Sequence, residues 1–335
     1  MKIPVAELQT LVERVLERHG VAPARAPLLA GTIVAAERDG SRSHGLQRLA
    51  GYLSSLLSGW VDGAAEPVVH EAGSGVLKVD ARNGFAQVAL AEAAPRLRTM
   101  AAGHGLAIMT TANGHHFAAL WPDIEPLATD GYIALTMVNT RARMVVWNGI
   151  KKVLGTNPMA FACPRKSRPP VVWDQASSVM SQGDVLLASA AKHLLPEGVG
   201  VDADGAATTD PDAVLRDGAL LPFGGVKGGS LAFMIEVLAT LGGARFGFED
   251  DSGKIPGAVT SNAGQFLMLI DPRRFSDGFL DRIEGLIEHL RDAGTGRLPG
   301  DLRYERRRIA ERDGIDVSPE MHDYLLRKGR HVSTA

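Results

Sequence analysis

An α/β fold framed by helices at both chain ends is what this sequence predicts, and three observations carry the expectation. From about residue 75, short apolar runs of strand length alternate with stretches of helical periodicity, the arrangement of an α/β domain. The first eighty residues and the stretch from 303 to 329 read instead as helices, the latter highly charged. Of the 335 residues 45% are apolar, enough to bury a substantial core and too many for a disordered chain.

Taken in order, Leu8, Leu11, Val12, Val15 and Leu16 follow the helical period, and Gly20 ends that run in the manner of a C-terminal cap. A second helix follows Pro23 and ends at Gly40. A third, SHGLQRLAGYLSSLL, begins near Ser41 or Ser43, either of which can cap it. Its helical period places Leu46, Leu49, Leu53 and Leu57 on one face and His44, Arg48 and Tyr52 on the other. Then come the strand VLKVD, a helix from Phe85 to Ala102, the strand LAIMTT, a helix after His116, and the strands YIALTMV, MAFAC and VVWDQ. The turn PFGGVKGGS leads into the helix LAFMIEVLATLGG. FLMLID is a further strand, FLDRIEGLIEHLRD a helix, and charged helices around 303–313 and 318–329 close the chain. There is no internal repeat, low-complexity tract or obvious linker.

Composition narrows the function. With 22% charged residues and a formal net charge of −2, no polyanion-binding surface is expected, and nucleic acid is not an expected partner. The single cysteine, Cys163, allows no internal disulfide and no Cys-x-x-Cys pair, which suits a reducing compartment. The N-terminal stretch carries charges every few residues and resembles neither a signal peptide nor a membrane span, so no membrane association and a cytoplasmic location are expected. No G-x-G-x-x-G follows a strand, and PFGGVKGGS lacks P-loop spacing, so neither nucleotide motif is present.

Four clusters can carry chemistry. In a continuous helix, His44 and Arg48 stand side by side, a proton carrier next to a fork that grips carboxylates; a solvated helix face is the bland alternative. His115 and His116 follow the strand LAIMTT. Adjacent histidines lack metal-ligand spacing, so no metal is expected; a ligand-facing loop and a capped turn with one packed histidine both fit. In FGGVKGGSLAF, backbone amides at a helix start and Lys227 suit an anion, although such a turn is more often only a turn. In GRLPGDLR, Arg297 and Arg303 flank a Pro-Gly turn and can meet a phosphate, or simply be exposed.

The strings SRSHGLQRLAGY, ANGHHFAAL, GTNPMAFACP, VVWDQASS, LPFGGVKGG and GRLPGD, in that order between about residues 5 and 325, resemble the type 2 malate/L-lactate dehydrogenase family. HHFAALWPDIEPLA, VVWDQASSVMSQGD and VGVDADGAATTDP look most like its branch acting on cyclic imino acids; the malate and ureidoglycolate branches show a smaller NHFGAAG-type sequence instead of HHFAALW. The resemblance implies a non-Rossmann fold, with residues 1–75 and 304–335 as a helical substrate and dimerisation domain and 76–303 as an α/β NAD(P)-binding domain in a homodimer. It implies NADPH, with NADH possible, as the donor of hydride to C2 of Δ1-piperideine-2-carboxylate or Δ1-pyrroline-2-carboxylate, giving L-pipecolate or L-proline. An open-chain 2-oxo or 2-hydroxy acid is the alternative substrate, and a catalytically silent nucleotide-binding homologue a second alternative.

Position by position, the resemblance assigns His44 as proton donor, with Ser43 and Asp184 as relay partners and His116 as a competing acid/base. Arg48 and Thr156 fall on substrate-binding positions. Cofactor contacts fall on His116, Phe117, Ala118, Ala119 and Leu120, on Asp174, Gln175 and Ala176, on Gln182, on Val226 and Lys227, and on Arg297, Leu298, Pro299, Gly300, Asp301, Leu302 and Arg303. Two stretches depart from the family pattern. NTRARMVVWNGIKKVLG lacks the usual Pro-Gly-Gly turn, and Val226 replaces the common His or Tyr; the first is expected along the substrate pocket, the second at the cofactor.

Overall fold

The computed structural model describes residues 1–330; the end of the segment 304–335 expected in the helical domain therefore lies outside the described residues. A two-residue strand, β1 (Lys2–Ile3), precedes α1 (Val5–Arg18), which buries Leu8, Val12, Val15 and Leu16 and stops where Gly20 takes a left-handed φ of +97°. Next comes α2 (Ala26–Arg38).

The expected third helix is broken. Residues 42–44 and 46–48 form two 3₁₀ turns, and only α3 (Leu49–Leu57) is α-helical. The cause is Gly45, whose non-helical backbone lies against α2: Glu37 Oε2 accepts the Leu46 amide at 3.0 Å, and a Cβ on Gly45 would sit 2.2 Å from that oxygen. His44 and Arg48 thus do not share the face of one helix. Leu46, Leu49 and Leu53 are buried as expected, whereas Leu57 is exposed and Tyr52 is buried.

A strand not anticipated in the first eighty residues follows, β2 (Val68–Gly73), paired with β3 (Val76–Asp80). As an edge strand its side chains are almost all exposed, so it lacks the apolar alternation that announces a half-buried strand. α4 (Ala86–His104) lays Ala86, Ala89, Ala93, Leu97 and Ala101 on the sheet and connects β3 to the parallel β4 (Leu106–His115). α5 (Trp121–Thr129), β5 (Ile133–Val138), β6 (Met159–Cys163) and β7 (Val171–Gln175) come next. An unforeseen lobe then contains α6 (Gln182–Ala190), β8 (Gly200–Val201), β9 (Ala207–Thr208), α7 (Pro211–Arg216) and β10 (Ala219–Leu220). α8 (Val226–Ala239), β11 (Asn262–Ile270), α9 (Phe279–Asp292), α10 (Asp301–Asp313), β12 (Ile315–Asp316) and α11 (Pro319–Gly329) complete the chain.

The main sheet has the order β2-β3-β4-β11-β5-β6-β7, with only β3 and β4 parallel. It is thus a mixed α/β fold, unlike a doubly wound parallel sheet. One core packs α4 and α5 on this sheet. A second joins Leu8, Val12 and Ile33 from the N-terminal helices to Ala310, Ile315 and Leu325 from the C-terminal segment, and β1 pairs with β12. A third fills the lobe with Met144, Leu154, Val185, Leu195 and Leu220. No helix among the described residues is long and apolar enough to cross a membrane.

Candidate active site

A cavity of about 810 Å³ opens where the 3₁₀ turns, the end of β4, the end of β7 and the start of α6 converge. This is within the range of small-molecule and cofactor sites, about 300–1,000 Å³. The broken third helix gives one wall. Arg48 Nε donates to the Ser43 carbonyl at 2.6 Å, which closes the turn and leaves the terminal amines of the guanidinium outside that bond. His44 Nδ1 is buried without a hydrogen-bond partner. Burial lowers the His44 pKa to about 4, Arg48 pushes it the same way, and Asp184 opposes them.

Opposite, β4 runs four residues beyond LAIMTT and ends in a tight turn with His116 at φ +40° and Ala118 at φ +55°. Gln87 Nε2 donates to the His116 carbonyl at 3.2 Å, and the Tyr52 hydroxyl and His116 Nδ1 are hydrogen-bonded at 2.6 Å. The imidazoles of His44 and His116 stack with centroids 6.4 Å apart. Burial first, then Arg48, His44 and His115, hold the His116 pKa well below its ordinary value. His115 behaves differently: Asn262 Oδ1 and Thr260 Oγ1 engage its two ring nitrogens at 2.8 and 3.0 Å, the pattern of a satisfied core histidine.

The expected relay is not hydrogen-bonded among the described residues. Asp184 accepts from the Ser181 hydroxyl at 2.8 Å and its amide donates back to Ser181 Oγ, because Ser181 caps α6. Asp184 therefore reaches His44 through its charge alone. Thr156 lines the cavity, with its hydroxyl 3.4 Å from that of Thr140.

Phe117, Ala118, Ala119, Asp174, Gln175, Ala176, Gln182 and Arg303 also line the cavity. Asp174 Oδ2 accepts the Leu120 and Trp121 amides at 2.6 and 3.1 Å and so caps α5; burial lifts its pKa to about 6 against the pull of those amides and of Arg303. Leu120 is fully buried, its amide already engaged, and does not line the cavity. Val226 and Lys227 lie exposed on the first turn of α8, away from the cavity wall. Arg297, Leu298, Pro299, Gly300, Asp301 and Leu302 likewise stand outside it. They build the entry to α10, where Asp301 accepts the Leu298 amide at 2.9 Å and Gly300 turns at φ +96°.

Sequence reasoning singled out neither Tyr52 as the His116 partner nor Trp121 as the platform for Arg303, whose guanidinium lies 4.6 Å from the indole centroid. Of the departing stretch 139–154, the residues Asn139, Thr140, Arg141 and Arg143 do line the cavity, while Met144 and Leu154 belong to the lobe core. Buried Nη1 of Arg303, Nε1 of Trp121 and Nδ1 of His44 all lack partners. The residues that carry these atoms line the cavity beside aromatic and small apolar walls, a lining that suits an anionic dinucleotide carrying a flat ring. Among the described residues there is no cluster of three or more potential metal ligands.

A mixed-sheet α/β chain with a histidine- and arginine-lined cavity at the ends of β4 and β7 defines a class of small-molecule enzyme distinct from the Rossmann dehydrogenases. The chain belongs to the malate/L-lactate dehydrogenase family, whose model matches residues 3–326. It is 46% identical over 322 residues to a Δ1-pyrroline-2-carboxylate/Δ1-piperideine-2-carboxylate reductase of Pseudomonas putida, covering 96% of this chain and 94% of the relative. It is 40% identical over 307 residues to a (2R)-3-sulfolactate dehydrogenase (NADP(+)) of Chromohalobacter salexigens, covering 91% of this chain and 92% of that one. The crystal structure of Δ1-piperideine-2-carboxylate reductase from Pseudomonas syringae pvar. tomato superimposes with a TM-score of 0.96 at 45% identity, covering 98% of this chain and 99% of the other.

Proposed function

We propose that this oxidoreductase reduces a cyclic 2-imino carboxylate, Δ1-piperideine-2-carboxylate or Δ1-pyrroline-2-carboxylate, to L-pipecolate or L-proline. The observation that carries the reading is an Arg48 fork beside an uncharged His44 in one cavity, in a chain whose relatives include a 46%-identical reductase of these imines. A bound reduced nicotinamide supplies the hydride that C2 receives. NADPH is the proposed form, with Arg303 the cation that lines the cavity at its Trp121 end.

Arg48 holds the substrate carboxylate through its terminal amines, since Nε is bound to Ser43. This fixes the face that C2 presents. His44, with a pKa near 4, is neutral at pH 7 and so is no standing acid. A protonated imine needs none: hydride addition to an iminium carbon gives the amine directly. A 2-oxo acid would need a proton delivered to the alkoxide. His44 thereby orients the iminium N–H as a neutral partner, a narrower role than the proton donor expected from the resemblance. His116, braced by Tyr52, forms the floor next to it. A homodimer in the cytoplasm completes the proposal.

Absorbance of NADPH and of NADH, followed with each cyclic imine, pyruvate and oxaloacetate, tests the reading. Rapid oxidation with the imines supports it; turnover confined to the oxo acids moves the chain to the 2-hydroxy-acid alternative.

A further inference from the structure

We propose that Arg143 is a second carboxylate-binding residue of this cavity, gripping the substrate together with Arg48; the inference rests on the reductase reading above. Its backbone is pinned on both sides, with its amide donating to Leu154 O at 2.8 Å and its carbonyl accepting from Leu220 N at 2.9 Å. The next residue, Met144, is fully buried in the lobe core beside Leu154 and Leu220. Alternation along this extended segment turns Arg143 the other way, into the wall it shares with His44 and Arg48.

Its charge has no ion-pair partner of its own. Arg141 pairs with Asp250 at 3.8 Å, and Arg48 lies in the field of Asp184. Among the described residues, the Arg143 guanidinium makes no hydrogen bond and no ion pair, although it is only partly exposed. A cation withdrawn from water is costly without an anion. Burial and then Arg141 lower its pKa to about 10, with Asp250 opposing and Arg48 adding, so it stays charged at neutral pH.

The identity of the anion follows from position. Arg303 stacks on Trp121 and feels Asp174, Glu125 and Asp39, whereas the charges acting on Arg143 are Arg141, Asp250 and Arg48. The cavity therefore has two cationic ends, and Arg143 belongs to the one beside His44, where C2 must lie. There, three guanidinium groups (Arg48, Arg141, Arg143) and Lys152 face three carboxylates (Asp184, Asp250, Asp217), leaving one positive charge. A monocarboxylate neutralises it.

The test uses Arg143→Met and Arg143→Lys in the full chain, each checked for an unaltered unfolding midpoint; if the Met variant does not fold, the Lys variant carries the comparison. The KM for Δ1-piperideine-2-carboxylate is expected to rise about tenfold or more in the Met variant and less in the Lys variant, with kcat and the NADPH KM within about threefold of parental values. Calorimetric affinity for pyrrole-2-carboxylate, a planar ring acid that cannot accept hydride, should weaken in parallel, and affinity for pyrrole-2-carboxamide should not. Parental kinetics and parental pyrrole-2-carboxylate affinity in both variants would overturn the assignment. So would a rise in the NADPH KM alone, which would place the guanidinium on a cofactor phosphate. A parental enzyme inactive with the imine sinks the reductase reading itself, whereas an active parent with unaltered variants sinks only the role of Arg143.

Discussion

At neutral pH an imidazole whose pKa lies near 4 carries no proton to give, so the substrate decides how much His44 matters. With an iminium substrate, His44→Ala should lower kcat less than about tenfold, because the nitrogen brings its own proton. With a 2-oxo acid the same change should cost about 10²–10⁴ in any residual turnover, the usual range for a lost general acid. Equal losses on both substrates in steady-state assays would show that His44 serves them alike. Arg48→Ala removes the carboxylate fork, and the imine KM should rise by about 10²-fold, corresponding to about 3 kcal/mol for a charge-assisted pair. An unchanged KM would take Arg48 out of the substrate site. Its neighbour Tyr52 acts on the site through His116. Tyr52→Phe strands the His116 Nδ1 and should cost about 1–3 kcal/mol of stability in a denaturant titration.

The elements that position these residues were legible to different depths. Periodicity and caps sufficed for α1, α2, α4 and the central strands, whose faces are buried enough to leave a pattern. β2 left none, since an exposed edge has no reason to alternate. The small lobe is built from two-residue strands, too short for any periodic signal. The third helix misled because nothing local in SRSHGLQR announces that Glu37, nine positions before Leu46, will take the Leu46 amide and open the chain at Gly45. The site was legible as residue types, His44 and Arg48, but not as geometry; their four-residue spacing is spanned by two 3₁₀ turns, and Tyr52 and Trp121 join the site from buried faces. Gly45→Ala tests this element directly. A Cβ there meets Glu37 Oε2 at 2.2 Å, so the carboxylate must leave the Leu46 amide, at a cost of about 1–3 kcal/mol. Circular dichroism should show a lowered midpoint, and the imine KM should rise as the Arg48 turn loosens. A variant with parental stability would mean that Glu37 moves without consequence.

Across the whole molecule the two chain ends are fastened to the sheet by buried charge as well as by the shared apolar core. Arg307 on α10 binds Asp39, which follows α2, at 2.6 Å and Glu125 on α5 at 2.5 Å. Asp39 keeps its pair with Arg38 at 2.7 Å, so Arg307→Met strands Glu125 alone and should destabilise the fold by about 1–3 kcal/mol in a denaturant titration. The same burial sets the response to acid. The pKa of His115 falls from 6.5 to about 4 through desolvation, with the Asn262 hydrogen bond opposing, and His44 is lowered to about 4 as well. For a group whose folded pKa is depressed, stability is intact above the unfolded value and is lost as pH drops through the folded one. His115 alone should therefore withdraw about 3 kcal/mol between pH 6.5 and pH 4, with His44 and His116 adding in the same direction. Asp174, raised to about 6, acts with the opposite sign: it is disfavoured as a buried anion at neutral pH, and its protonation offsets part of the loss. Asp123 and Glu37, whose pKa values burial also raises, act in the same sense as Asp174, so the histidine contribution is read as the downward slope of the urea-unfolding free energy between pH 6 and 4, measured at pH 7, 6, 5 and 4. His115→Asn should flatten that slope, because a neutral amide has no proton to take up; a slope unchanged by the substitution would place the acid sensitivity elsewhere in the fold.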